Sequence, residues 1–358
     1  VALTLEELGG WRGVLGRVAA GEDLSSEEAA AALAEVLEGN ATPAQIAAFT
    51  FGLRCKGETV AEMSGMVAAM LAASERVMLP ADLVDRVVDT CGTGGDRSGS
   101  INVSTIAALV VAGAGVPVCK HGGRAASSQA GSADVLEALG VVIDLGPAGV
   151  ARCVVEAGIG FCFAPRYHPA MRHAIPVRRE LGVPTAFNFL GPLANPARVR
   201  RQVVGVGDPV MAPKMAGVLA AGGSRRVMVV HGAGGLDELS TAGLSSVHSF
   251  EAGVFSETVV DPAALGLAPA AVEDLRGGDA ATNAVLARAV LAGEPGPRRD
   301  IVLLNAAAGL VVGGACADLE RGLEVAAAVV DDGRAAACLD RLVAVSRAAE
   351  PEPAPAGQ

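Results

Sequence analysis

At 358 residues, with 51% hydrophobic and only 3% aromatic content, the chain can bury a large core made of Ala, Val, Leu and Gly rather than rings. Its net charge of −11 argues against a nucleic-acid surface, which needs a positive footprint, but leaves room for a local anion site. The seven cysteines form no CxxC pair and several lie in apolar runs, as free thiols do in a reducing compartment. No charged-then-apolar leader opens the chain. The most apolar stretch, 106–119, is broken by Gly113, Gly115 and Pro117 and is too short to span a bilayer, so the expectation is a soluble, cytoplasmic protein without membrane contacts.

Residues 1–80 read as a small helical domain, because apolar residues recur at helical spacing and the helix starts are marked. Ser25 with Glu28 and Thr59 with Glu62 have capping-box spacing, and Thr42-Pro43 offers an N-cap followed by Pro at the first helical position. Gly39-Asn40 and Lys56-Gly57 close two of the helices. From residue 81 to 347 the pattern alternates β and α. Strands are expected at 84–89, 116–119, 141–144, 159–164, 203–207 and 227–231, and helices at 103–114, 133–139, 147–157 and 211–221. That alternation implies an α/β fold with a mostly parallel central sheet and right-handed crossovers. Segment 167–182, which carries His168, Arg172, His173, Arg178 and Arg179, reads as a helical run that completes the helical domain. Polar-alternating segments follow to about 260, then Ala-rich helices. The Pro- and Glu-rich tail, 348–358, is expected to be disordered.

Two Gly-rich loops organise the chemistry, each following a short apolar strand and preceding a helix, where open α/β sheets bind ligands. The first runs Gly92-Thr93-Gly94-Gly95-Asp96 and continues to Ser100, Asn102, Val103, Ser104 and Thr105. Its glycines let backbone N–H groups face an anion, and the helix that Asn102 opens favours phosphate at its amino end. Alone, this loop reads first as a tight strand-to-helix turn; no Lys-Ser or Lys-Thr follows, so it is not a P-loop. The second loop, Lys120-His121-Gly122-Gly123-Arg124-Ala125-Ala126-Ser127-Ser128 with Ser132 beyond it, adds a point charge, a planar cation and hydroxyl donors. Two such loops point to a ligand with two separate phosphate groups. A diphosphate brings a divalent cation, for which Asp237-Glu238, after Gly232, Gly234 and Gly235, are the candidate oxygen ligands, although such a pair also reads as a solvated helix start. Zinc spacing is absent, so the expected metal is Mg²⁺. The segment 187–193 reads as an apolar turn walling a pocket for a flat acidic molecule, with a nearby Arg as clamp.

In combination these motifs resemble the anthranilate phosphoribosyltransferases over nearly the whole chain: Gly92 to Asp96, Asn102 to Thr105, Lys120 to Gly122, Gly131 to Asp134, 188–196 and Gly235 to Glu238. The resemblance implies a homodimer that transfers the phosphoribosyl group of 5-phosphoribosyl 1-diphosphate (PRPP) to the amine of anthranilate. It implies PRPP binding by Gly92, Gly95, Asp96, Ser100, Asn102 to Thr105, Lys120 to Ser128 and Ser132. Mg²⁺ would sit on Ser104, Asp237 and Glu238, and anthranilate on Arg178 with Gly92 and Gly123. No side-chain base is implied, since an aromatic amine is already neutral at pH 7 and needs positioning more than deprotonation. Gly123 stands where the family usually has Asn and Arg97 where it has a small residue, so weaker anthranilate binding, or a different aromatic amine, is the expected departure. A pyrimidine nucleoside phosphorylase is the nearest rival, through the Lys-x-x-Gly-Arg of 120–124; Asp237-Glu238 and the order of the first loop stand against it. A nucleic-acid-binding relative on the same scaffold is disfavoured by the acidic balance.

Overall fold

A computed structural model describes residues 3–96, 98–125 and 129–349 of the chain. Arg97, Ala126, Ser127, Ser128 and the tail from 350 onward lie outside the described residues. Ala348, expected to begin that tail, instead ends the last helix, Arg334–Ala348, where its carbonyl accepts from Arg152 Nη1 at 3.0 Å.

The amino-terminal part is helical, with Gly10–Ala19, Ser26–Leu37, Pro43–Lys56 and Val60–Ala72. Ser25, Thr42 and Thr59 each accept the N–H of the residue three positions on, and Glu28, Gln45 and Glu62 return the bond, so all three starts are reciprocal caps. Gly65 sits against the Ser26 carbonyl, where any Cβ would overlap, and this lets helices Ser26–Leu37 and Val60–Ala72 pack closely. The later segments Pro169–His173 and Ile175–Leu181 join this unit, placing Met171, Ala174 and Val177 in one core with Leu33, Phe49 and Leu53. Arg54 Nη2 donates to Asp208 at 2.8 Å and Lys214 Nζ to the Glu58 carbonyl at 2.8 Å, fastening the helical unit to the sheet side.

The sheet has seven strands: β1 Val88–Gly92, β2 Val118–Gly122, β3 Ile159–Phe163, β4 Arg201–Gly205, β5 Arg226–His231, β6 Ser245–Glu251 and β7 Val254–Val260. Their order is β3-β2-β1-β4-β5-β6-β7; β1 to β5 run parallel, and β6 and β7 are an antiparallel hairpin at one edge. Two expectations change. The start of 84–89 is the short helix Ala81–Val84, and the strand begins at Val88. Segment 141–144 is not a strand: β2 pairs directly with β3, and the segment is held outside the ladder by Val142 N–H donating to Ser346 Oγ at 3.1 Å, with Val141 and Ile143 packed inward. The polar alternation after 244 is the β6–β7 hairpin.

Helix Val103–Gly113 is buried along almost its full length, because Pro297–Gly313, Leu319–Asp331 and Arg334–Ala348 enclose it. Gly309 meets Val111 and Gly113 meets Ala335 so closely that a Cβ at either would require a shift. All seven cysteines are free; Cys119 and Cys162 on neighbouring strands stand 3.6 Å apart, Sγ to Sγ, and Cys55 alone is exposed. No helix among the described residues is long and apolar enough to cross a membrane.

Candidate functional site

Connections leave β1 in opposite directions, toward β2 on one side and, by way of β3, to β4 on the other. The carboxyl ends of β1 and β4 therefore flank a topological switch point, where such sheets open a crevice. Gly92 and Gly205 end these strands in register. Both are glycine for one reason: the 232–238 loop lies across them. A Cβ at Gly92 would come within 2.6 Å of Asp237 Oδ2, and one at Gly205 would overlap the Asp237 carbonyl. Asp237 Oδ2 accepts the Gly94 N–H at 2.6 Å and the Thr93 hydroxyl at 3.5 Å, tying the third loop to the first.

Glu238 reaches the next element. Its Oε1 accepts the Ser104 N–H at 2.9 Å, at the amino end of the buried helix. Both carboxyls are held above the usual carboxylate range, Asp237 by burial and then by Asp96, Glu238 by burial and then by Asp237. Neither makes a salt bridge among the described residues, so a buried acid, Asp237, and a half-buried one, Glu238, stand together with Asp96 beside them. Lys120 is buried below; its Nζ donates to the Thr90 carbonyl and to Ser104 Oγ at 3.3 Å, orienting that hydroxyl. Buried like charges relieved by a cation are the chemistry of a divalent metal site. No three His, Cys, Asp or Glu side chains form a complete metal site among the described residues. Two carboxylates with substrate oxygens and water are how Mg²⁺ is commonly held, so the residues fit it.

The second loop is fixed by Asp134, whose Oδ2 accepts both the Ala125 N–H at 3.0 Å and the Gly131 N–H at 2.9 Å. Thr105 Oγ1 donates to Ser132 Oγ at 3.0 Å, and Asn102 Nδ2 to the Ala130 carbonyl at 3.0 Å, so the two loops are joined. Arg124 lies at the outer side of this loop. It is exposed, bonded to Asp134 at 2.7 Å and Glu137 at 2.9 Å, and stacked 5.5 Å from the Phe163 ring, so its charge is already answered by two carboxylates. Ser100 bonds to Ser98 Oγ through its N–H, at 3.2 Å, and pairs with Arg276. Gly95 is exposed, and Gly123 has open space around it, with Ala164 Cβ the nearest atom at 3.8 Å from an added Cβ.

Arg178 is partly buried and faces no carboxylate among the described residues. Its guanidinium lies 5.8 Å from the Phe187 ring, and burial lowers its pKa. Arg179, by contrast, is exposed. The apolar stretch expected as a turn is the helix Phe187–Leu193 with Pro192 inside it; Thr185 N–H donates to Asn188 Oδ1 at 3.0 Å at its start. This helix meets the second loop through His121 Nδ1, which donates to the Gly191 carbonyl at 3.0 Å.

His121 and His168 stack edge to face 5.1 Å apart, and burial holds their pKa values at about 3 and about 4. Both stay neutral in the folded state, whereas the unfolded chain protonates near pH 6.5. Their contribution to stability is complete above that pH and is lost as pH falls toward the folded values. We expect about 1–2 kcal/mol lost per histidine between pH 7 and 5. Thermal unfolding across that range, compared with His168→Gln, should show a shallower pH slope in the variant.

Several residues escaped the sequence reading. Asp89, fully buried, accepts the His121 N–H at 3.1 Å and Asn195 Nδ2 at 2.8 Å, and Asn195 also bonds the Cys119 carbonyl at 2.9 Å, bracing β1 against β2 beneath the site. Gly205 and Thr93 hold the Asp237 loop. Asn305 on helix Pro297–Gly313 accepts the Leu239 N–H and donates to its carbonyl, both at 2.9 Å, just after the carboxylate pair. The available signal was a polar residue within an otherwise apolar run.

Residues 84–336 match the glycosyl transferase family a/b domain and residues 12–74 the helical bundle domain of the same family. An anthranilate phosphoribosyltransferase of Salinispora arenicola is 54% identical, over 95% of this chain and 98% of its own length. One from Saccharopolyspora erythraea is 53% identical, over 93% and 95%. Among solved structures, that of anthranilate phosphoribosyltransferase from Thermus thermophilus superposes with a TM-score of 0.88 at 42% identity, covering 93% of this chain and 99% of its own. The Saccharomyces cerevisiae enzyme in complex with PRPP and Mg superposes with a TM-score of 0.85 at 27% identity, covering 94% and 98%.

Proposed function

The chain belongs to the anthranilate phosphoribosyltransferase family, and from that premise we propose which of its residues perform the reaction. The protein transfers the phosphoribosyl group of PRPP to the amine of anthranilate, releasing diphosphate, in tryptophan biosynthesis with Mg²⁺ as cofactor. The observation that carries the site assignment is the carboxyl pair Asp237 and Glu238, tied to the first Gly-rich loop at Gly94 and to the helix start at Ser104, with no salt-bridge partner among the described residues. Ser104, Asp237 and Glu238 hold the metal in this reading; when bound, it neutralises charge on the diphosphate leaving group.

Gly92, Gly95, Asp96, Ser100 and the backbone from Asn102 to Thr105 line the donor in our reading, with Lys120 to Ala125 and Ser132 opposite. Lys120 contributes a fixed positive charge near Ser104, and backbone N–H groups receive the developing negative charge without reorganising. Asp96, an acceptor, suits a hydroxyl better than a phosphate. Arg124 has two carboxylates to leave before it could reach a phosphate, so we assign it the outer end of the loop. Arg178 takes the anthranilate carboxylate, with Gly92 and Gly123 beside the ring, and leaves the amine to be positioned rather than deprotonated. We also read the protein as a cytoplasmic homodimer, with 1–80 and 167–182 as one domain and 81–347 as the other.

The test follows anthranilate fluorescence as PRPP is added. Arg178→Ala should raise the anthranilate KM about tenfold to a hundredfold with the PRPP KM little changed, as expected for loss of a charge-assisted pair. Gly123→Asn, which has room, should lower the anthranilate KM. Equal changes in both KM values for Arg178→Ala would sink the assignment.

A further inference from the structure

We infer that Asn283, far along the chain from both loops, is a positioning residue for the phosphoribosyl donor. The inference rests on the reading above that Asn102 belongs to the donor site. Asn283 lies on helix Ala280–Leu291 and is 2% exposed. Both ends of its side-chain amide are committed: Oδ1 accepts the Gly278 N–H at 2.7 Å, and Nδ2 donates to Asn102 Oδ1 at 2.9 Å. Asn102 in turn donates Nδ2 to the Ala130 carbonyl at 3.0 Å. A single line of amides therefore runs from Gly278 through Asn283 and Asn102 to the end of the second loop.

The line has one polarity. Turning the Asn283 amide over would set its NH₂ against the Gly278 N–H and its oxygen against Asn102 Oδ1. Turning Asn102 over would place its oxygen against the Ala130 carbonyl. Each flip puts donor on donor or acceptor on acceptor in a buried place, where an unmet polar group is costly. Asn283 consequently dictates how Asn102 points. Asn102 does not cap the helix it precedes, because its side chain is spent on Ala130 and Asn283. Its work is to set the distance between the start of helix Val103–Gly113 and the second loop, which are the two walls of the donor site.

The surroundings support this. Segment 275–277 runs beside the first loop: Ile101 N–H donates to the Leu275 carbonyl at 2.9 Å, and Gly277 N–H to the Gly99 carbonyl at 2.9 Å. Gly277 packs so tightly on Asn283 that a Cβ there would overlap its side-chain oxygen. This segment carries no ligand-binding role of its own in the reading above. It acts through Asn102.

The experiment is steady-state kinetics with Mg²⁺, varying PRPP and anthranilate separately, on Asn283→Ala, Asn283→Asp, Asn102→Ala and the double variant Asn102→Ala/Asn283→Ala. Asn283→Asp keeps the acceptor for Gly278 but presents a second acceptor to Asn102, so it disturbs the relay while sparing the turn. Both Asn283 variants should raise the PRPP KM about tenfold and leave the anthranilate KM within about twofold, the size of one lost buried hydrogen bond. The double variant should bind PRPP no worse than Asn102→Ala alone, because the two residues act as one unit. Equal rises in both KM values, or additive losses in the double variant, would overturn the inference. Should Asn102→Ala leave the PRPP KM unchanged, the donor-site reading itself falls, a result distinct from failure at Asn283 alone.

Discussion

Replacing Gly205 with alanine should abolish most turnover although no side chain is lost. The new methyl group would overlap the Asp237 carbonyl, a backbone atom that cannot swing aside as a flexible side-chain end could. Room can be made only by lifting the 232–238 loop, which would break the Gly94–Asp237 contact of 2.6 Å and draw Glu238 away from Ser104. Overpacking of this kind costs about 1–3 kcal/mol and occasionally more. Displacing groups by about 1 Å from their working geometry costs about a hundredfold in rate. The expected result is a folded protein with a lowered melting temperature and at least about a hundredfold lower kcat at saturating Mg²⁺. Wild-type turnover from Gly205→Ala would mean that the loop is not held where the chemistry needs it.

Glu238→Gln should separate stability from function in opposite directions. The amide keeps an oxygen for the Ser104 N–H but cannot ionise, so it escapes the cost that desolvation and Asp237 place on the Glu238 carboxylate. Without metal, the variant should therefore unfold at a higher temperature than wild type at pH 7, by about 1–2 kcal/mol of stability, since the unfolded chain ionises this glutamate freely and the folded site resists it. With Mg²⁺ and PRPP the order should reverse. Mg²⁺ affinity in the presence of PRPP, read by calorimetry, should fall at least about a hundredfold, more than outer contacts alone are worth. A Glu238→Gln enzyme with unaltered Mg²⁺ dependence would exclude Glu238 as a ligand.

What could be read from the chain depended on how local each cause was. The caps at Ser25, Thr42 and Thr59 are settled within four residues, and all three form, Thr42 with a return bond from Gln45 that the reading of Thr42-Pro43 did not include. The Gly-rich turn before Asp237-Glu238 and the loops after β1 and β2 were legible because a β-branched run stops at glycine each time. Segment 141–144 misled because Val141 and Ile143 are buried as strand residues would be, yet β3 already occupies the edge of β2. Periodicity reports burial, not a ladder partner. Asp89 and Asn195, 106 positions apart, could not be paired from sequence. Asn283 and Asn305 carry no local signal of their partners in their helices, because Asn102 and Leu239 are distant in sequence. The bonds of Arg124 to Asp134 and Glu137, ten and thirteen residues on, were not legible either, because they depend on how the second loop folds back on the helix after it.

The enclosure of helix Val103–Gly113 by the last three helices also bears on how the protein is made. The helix whose start lines the donor site emerges from the ribosome nearly two hundred residues before Pro297–Gly313, and longer before Arg334–Ala348 covers it. Until then its apolar flank has no lasting cover, and Asn102 and Leu239 lack Asn283 and Asn305. The amino-terminal helices make mainly short-range contacts and can form early, while the pocket waits on contacts of high sequence separation, which close slowly. Synthesis thus delivers the catalytic crevice last, and a chain stopped short of its final helices carries every donor-binding loop without the frame that aligns them.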